Sequence, residues 1–273
     1  MSINLLISIE IKDLNVYNIF EKGMEMLVLG ISVSKDIFPA ELIVSLAVML
    51  IIAIFSFIVY FKAKKWDPLK KPKGIMLIAE MYVNMIDNLV KDNMGSQFKV
   101  IGGAIFGFIC PYLFLSMIAG LFGVPSPTTF LYVPLSLGLI TFIMIHATSV
   151  HYTRIKYFKR YVEPLPFFLP INLLSMWAPL LSLTFRLFGN AVAGYVIMRL
   201  IYWAFEEITI GVVSLAPAAA LITPVLHAYF DVFSGFIQTT VFTLLSMALI
   251  KNEVPEDVQN KYEKQAKLES TKK

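Results

Sequence analysis

The sequence predicts an all-α integral membrane protein: five transmembrane helices plus one interfacial amphipathic helix, the last two transmembrane helices long and tilted. Three observations predict it. Only 15% of the 273 residues are charged, against roughly a quarter in soluble domains, and mean hydropathy is +0.73. Uncharged runs reach or exceed the ~20 residues that cross a ~30 Å hydrocarbon core as a helix. Eighteen of the 23 Lys and Arg residues fall in three blocks, 62–99, 151–163 and 251–273. With those blocks on the cytoplasmic side, the positive-inside rule is met throughout. The net charge of +4 therefore reflects membrane orientation, and its placement argues against nucleic acid as a partner. A single cysteine, Cys110, excludes an intrachain disulfide and a Cys-based metal site.

Residues 1–38 read as an extracytoplasmic segment, since residues 1–41 hold three basic and six acidic side chains. Residues 1–20 have no basic stretch and contain Glu10, Lys12 and Asp13, which argues against a secretory signal peptide. A membrane domain over 39–252 follows. Its first span, about 40–62, contains the 20 uncharged residues from Leu42 to Phe61. Residues 75–91 are too short and too polar to span. There Ile75, Ile78, Met81, Tyr82, Met85, Ile86 and Leu89 recur at helical steps, opposite Glu80, Asn84, Asp87, Asn88 and Lys91. After six lysines, this amphipathic helix reads as lying along the cytoplasmic interface. The alternative is a loop helix packed on a partner.

Val100 to Val150 gives 51 residues without Lys, Arg, Asp or Glu. Gly123-Val124-Pro125-Ser126-Pro127-Thr128 breaks that run into two antiparallel spans, about 100–121 and 131–151. The last two spans are expected over 171–205 and 209–250, and residues 253–273 form a charged cytoplasmic tail. As unbroken helices the last two would be roughly 52 and 63 Å long, well beyond the ~30 Å an upright span needs. They must tilt, break or run partly in the membrane plane, with Pro179, Pro217 and Pro224 as the places to kink.

Their polar residues carry the functional signal. Arg186 lies deep in an apolar stretch, where an arginine costs about 2.5–3.5 kcal/mol on insertion scales. Ser182 and Asn190 share its face, and Gly189, Ala193 and Gly194 let a second helix approach closely. Arg199, near the outer end, is placed to snorkel to headgroups. In the final segment, His227, Asp231, Ser234 and Gln238 have offsets of four, three and four, forming one polar stripe. Such a stripe suits a hydrated proton path, or else hydrogen bonding to a neighbouring helix. His146 reads as a packing or interfacial residue. The three histidines have no metal-ligand spacing, no nucleophilic triad converges, and no phosphate-binding loop is present. No metal and no cofactor is expected.

The run Ser182-Leu183-Thr184-Phe185-Arg186-Leu187-Phe188-Gly189-Asn190-Ala191-Val192-Ala193-Gly194 resembles the SLxxRLFGNxxAG signature of the subunit a family of F-type ATP synthases. Glu163-Pro164-Leu165-Pro166-Phe167-Phe168-Leu169-Pro170-Ile171-Asn172 resembles the family's lead-in to that helix. The run from Phe236 through Gln238 and Phe242 to Leu245 is similar to its final IQxxxFxxL segment. The resemblance implies ion translocation without chemistry on ATP. It makes Arg186 the essential arginine that separates two offset half-channels against a ring of c subunits. Asn190, Asp231 and Gln238 would line the outer half-channel, and Ser182 would lie near the arginine on the inner side.

It further implies peripheral-stalk b subunits as partners, the catalytic ATPase head indirectly, and a bacterial cell membrane as the location. The N-terminus would be outside and the C-terminus cytoplasmic. Two departures stand out. Tyr195 occupies the place, nine residues after the arginine, where many bacterial members have an acid, while Asp231 stands where they often have His or Ser. Ala178-Pro179 replaces the family's Lys-Pro. A different class of function, a secondary transporter using the Arg186/Asp231 pair, would require two internally similar halves, and residues 1–130 hold no counterpart of 171–250.

Overall fold

In the computed structural model, the described residues are 39–67, 71–154, 157, 167, 169–207, 209–210, 213–214 and 216–262, with backbone alone over 206–220. The acidic N-terminal segment, most of the 155–168 loop and the last part of the tail lie outside them. Five helices are long and apolar enough to cross a membrane: Ala40–Lys64, Ser96–Phe122, Tyr132–Thr153, Leu169–Phe205 and Leu221–Lys251.

Helix α1 (Ala40–Lys64) carries Glu41 in its first turn and Lys62 and Lys64 in its last, the polarity that complements a helix dipole. Only Ser45 and Val48 are buried on it, and Ser45 Oγ lies 2.7 Å from Tyr112 Oη. Its other faces, including Leu50 and Phe57, are exposed and apolar. Helix α2 (Ile75–Met94) starts after Gly74 at φ 60° and stops at Gly95 at φ 95°, backbone that favours glycine.

The apolar stripe expected along α2 divides in the structure. Ala79, Ile86, Val90 and Met94 are buried, in a cluster with Phe98, Phe106, Ile145, Met247 and Ile250 around the last three. Ile78, Met81 and Met85 stay exposed. The reason is that α2 is seated by specific bonds as well as by hydrophobicity. Tyr82 Oη donates to the Gly107 carbonyl at 2.8 Å, and Asp87 pairs with Lys99 at 3.4 Å. Thus α2 packs on its own chain and keeps a second apolar face outward.

Helix α3 (Lys99–Ile118) continues into a 3₁₀ turn, Ala119–Phe122. Gly123 at φ 70° ends it, and Ser126 Oγ donates back to the Ser116 carbonyl at 2.9 Å. Helix α4 (Tyr132–Thr153) returns. His146 on α4 contacts Phe142 edge-on and lies 2.8 Å from Tyr157 Oη through Nδ1, a packing role as expected. A core of Val48, Ile109, Leu113, Met117, Leu137, Leu183, Leu187 and Phe242 ties α1, α3 and α4 to the last helices.

Helix α5 (Leu169–Glu207) runs 39 residues through Pro179, about 58 Å at 1.5 Å per residue. The segment expected as one run from 209 is a short hairpin followed by three helical pieces instead. Residues Thr209–Ile210 (β1) pair antiparallel with Val213–Ser214 (β2). Ile208, Thr209, Ile210, Val212 and Val213 are β-branched, which favours extended backbone over helix there. Then come α6 (Ala216–His227), a π-helical segment at Ala228–Phe233, and α7 (Ser234–Lys251). Among the described residues this pair is the sole β structure, and the fold class remains an all-α membrane protein.

Candidate functional site

Tyr195, Arg199 and Tyr202 follow one another at offsets of four and three, so α5 presents them on one face. Opposite them, α6 contains Pro224, which has no N–H to donate to the helix. The next turns open into the π segment that carries Asp231, a widened turn that recurs at functional sites. His227 stands between the two helices. Its Nδ1 lies 2.6 Å from Asp231 Oδ2 and its Nε2 2.8 Å from Tyr202 Oη. An imidazole bridged this way can take a proton at one nitrogen and release one at the other.

This chain of groups borders a cavity of about 400 Å³. Asn190, Tyr195, Arg199 and Tyr202 line it from α5, and His227, Asp231 and Ser234 from the facing helix. Gly120, the loop from Gly123 to Ser126, and Glu41 at the start of α1 complete the wall. Arg199 turns to this wall: its Nε donates to Tyr195 Oη at 3.2 Å, with Cζ 5.4 Å from that ring's centroid. Asp231 and His227 keep 19% and 24% of their side-chain surface exposed, so both are open to the cavity.

The expected stripe is therefore split. His227, Asp231 and Ser234 reach the cavity, whereas Gln238 is 3% exposed and does not line it. Gln238 is joined to the cavity wall through Asn190, whose Nδ2 donates to Gln238 Oε1 at 2.5 Å. Gln238 Nε2 is buried with no partner among the described residues, a deficit of about 1–3 kcal/mol. Polar groups thus continue from the cavity into the α5–α7 seam. The physical reason for the split is the π segment, which resets the phase between Asp231 and α7.

Arg186 lies one turn before Asn190 and outside the cavity. Its side chain is exposed, as are Ser182 and Phe185, and the space above Gly189 is open. Among the described residues no carboxylate or hydrogen-bond acceptor meets it. An unpaired guanidinium on an apolar helix face is stable only with water or an anion supplied from outside the chain. The structure does not bring Arg186 and Asp231 together as a pair.

Sequence reasoning missed three contributors. Tyr202 was signalled by its offset from Tyr195 and Arg199. Glu41 was signalled as an acid in the first turn of a span. Gly120 had no signal, because its role depends on a residue 111 positions away.

A sequence model of the ATP synthase A chain family matches residues 42–251. The chain belongs to that family. Among curated relatives, the ATP synthase subunit a of Mycoplasmoides gallisepticum is 29% identical over 236 residues, covering 80% of this chain and 79% of the relative. That of Mycoplasma genitalium is 32% identical over 229 residues, covering 78% of each. That of Lysinibacillus sphaericus is 25% identical over 226 residues, covering 77% of this chain and 90% of the relative. The family match contains Arg186 and every other residue singled out in the α5–α7 seam, and it begins just after Glu41.

Proposed function

We propose that the chain is the ion-translocating stator subunit of a rotary F-type ATP synthase, forming two offset proton half-channels against a ring of c subunits. The observation that carries this reading is the exposed, unpaired Arg186, one turn from a polar seam that leads to a cavity of about 400 Å³. A c-ring carboxylate is neutral when it faces lipid and ionises beside a fixed cation. Arg186 supplies that cation, and its guanidinium stays charged when desolvated. Protons from outside reach Asp231 through the cavity, pass the Asn190–Gln238 seam and neutralise a ring carboxylate. After nearly a full turn of the ring they leave on the Ser182 side. A proton cannot take the direct route past Arg186, so proton flow is coupled to rotation.

In this reading the membrane domain spans 39–252, α2 lies at the cytoplasmic interface, α5 and the α6–α7 run are tilted, and residues 253–273 are cytoplasmic. The membrane is the bacterial cell membrane. Peripheral-stalk b subunits hold the chain still, and the ATPase head, which does the chemistry on ATP, is reached through the complex.

The test is ATP-driven proton pumping in inverted vesicles carrying the whole synthase. Arg186→Lys and Arg186→Gln are expected to assemble and to abolish pumping. Arg186→Ala is also expected to leak protons passively once the catalytic head is stripped off. Coupled pumping at the wild-type rate in the Lys or Ala variant would overturn the proposal.

A further inference from the structure

The carboxylate of Asp231 occupies the space that a side chain at Gly120 would take. A Cβ added at Gly120 would stand 2.8 Å from Asp231 Cγ and Oδ1, and 2.9 Å from Oδ2. Ordinary contact begins near 3.4 Å, so the carboxylate would have to retreat by about 0.6 Å (3.4 minus 2.8). Gly120 lies in the 3₁₀ turn Ala119–Phe122 and is not among the positive-φ glycines. Its backbone accepts alanine, and the glycine is needed only for the space its missing side chain leaves.

We infer that Gly120 is a positioning residue for proton transfer: it leaves the space in which the Asp231 carboxylate meets both His227 and the cavity water. The inference rests on the reading of Asp231 as the relay. On one side the carboxylate is held by His227 Nδ1 at 2.6 Å. On the other it fills the room left by the missing Gly120 side chain. A methyl group at Gly120 moves the carboxylate off one of these limits, and the obstructed atoms are the end of a rotatable side chain, so the helices need not part. Gly235 differs, since its Cβ would meet Met117 Cβ at 2.7 Å, close to the α3 backbone itself. At Gly107, elsewhere on α3, a Cβ meets nothing within 4 Å, which makes it the matched control.

The experiment uses the whole synthase in inverted vesicles, with pumping normalised to assembled complex and measured as a function of pH. Gly120→Ala is expected to assemble and to pump roughly tenfold more slowly, within the ~100-fold that a 1 Å misplacement can cost. The midpoint of its pH profile should move, while Gly107→Ala keeps the wild-type rate and midpoint. In an Asp231→Ser background, where no carboxylate remains to be displaced, Gly120→Ala should cause no further loss. A wild-type rate and midpoint in Gly120→Ala overturns the inference, and so does a further loss in the Asp231→Ser background. Wild-type pumping in Asp231→Ser itself strikes the relay reading instead, whichever way Gly120→Ala turns out.

Discussion

Arg186 and Asp231 are both ionisable groups in apolar helices, yet their surroundings set them different tasks. Arg186 meets no partner among the described residues and faces outward, while Asp231 is clamped by His227 and opens on a cavity. A group that must hand protons on needs room for water on one side and a fixed neighbour on the other; the cavity and His227 give Asp231 both. Asp231→Asn keeps the shape and the hydrogen bonding but cannot bind and release a proton. It is expected to slow ATP-driven pumping by about 100-fold or more, the low end of what a positioned proton-transfer group contributes, with assembly unchanged. Asp231→Glu should recover part of the rate. An Asn variant that pumps normally would reduce Asp231 to a structural hydrogen bonder. Both residues were legible in the sequence because a charge in hydrocarbon is costly wherever it stands. Tyr202 was marked only by its spacing from Tyr195 and Arg199, and a tyrosine in a membrane helix is ordinary until the helix opposite it is known.

At the scale of elements, α2 shows how a helix can match its periodic pattern and still be placed by something else. Its apolar residues span more than one face, and the docked face is the one where glycine lets α3 come close. A Cβ on Gly102 would lie 2.8 Å from Val90 Cγ1 and 3.6 Å from Met94 Sδ. Val90 is β-branched and has little rotamer freedom in a helix, so the overlap must be relieved by moving α2. Gly102→Ala is expected to destabilise the chain by about 1–3 kcal/mol, the usual cost of overpacking. Gly107→Ala should be neutral or slightly stabilising, as glycine is a poor helix former. The check is the heat-aggregation midpoint of the purified complex in detergent, which should fall for the first variant alone. The hairpin and the π segment are the elements that periodicity misplaced. A run of apolar residues reads the same whether its backbone is α, π or briefly extended.

For the whole molecule, the two ends of the bundle are chemically unlike. Glu41, the 123–126 loop, Tyr202 and His227 gather around the cavity at one end. Lys62 and Lys64 close α1 at the other, and α2 packs there with Met247, Ile250 and Val254. In the proposed reading, charge asymmetry puts the second end on the cytoplasmic side. Single cysteines at Lys65, Lys156 and Lys267, in a Cys110→Ser background, should be shielded from an impermeant thiol reagent in intact cells. One at Ser126 should be labelled. Labelling at Lys156 from outside would reverse the assignment and put the Asp231 cavity on the wrong face for proton uptake from outside.

The number and order of the apolar helices, and Arg186 and Asp231 as charges set deep within the last two, were legible in the sequence alone. Hydrophobicity and the cost of a buried charge act on each residue where it stands, so they can be read without knowing any neighbour. The tertiary structure decided the rest. It divided one polar stripe between a cavity and a closed seam, gave His227 a phenol on another helix, and set Asp231 against a glycine 111 residues earlier. Those facts depend on which helix faces which and at what phase. Five apolar helices of similar composition leave that undecided until their small residues and hydrogen bonds lock one arrangement.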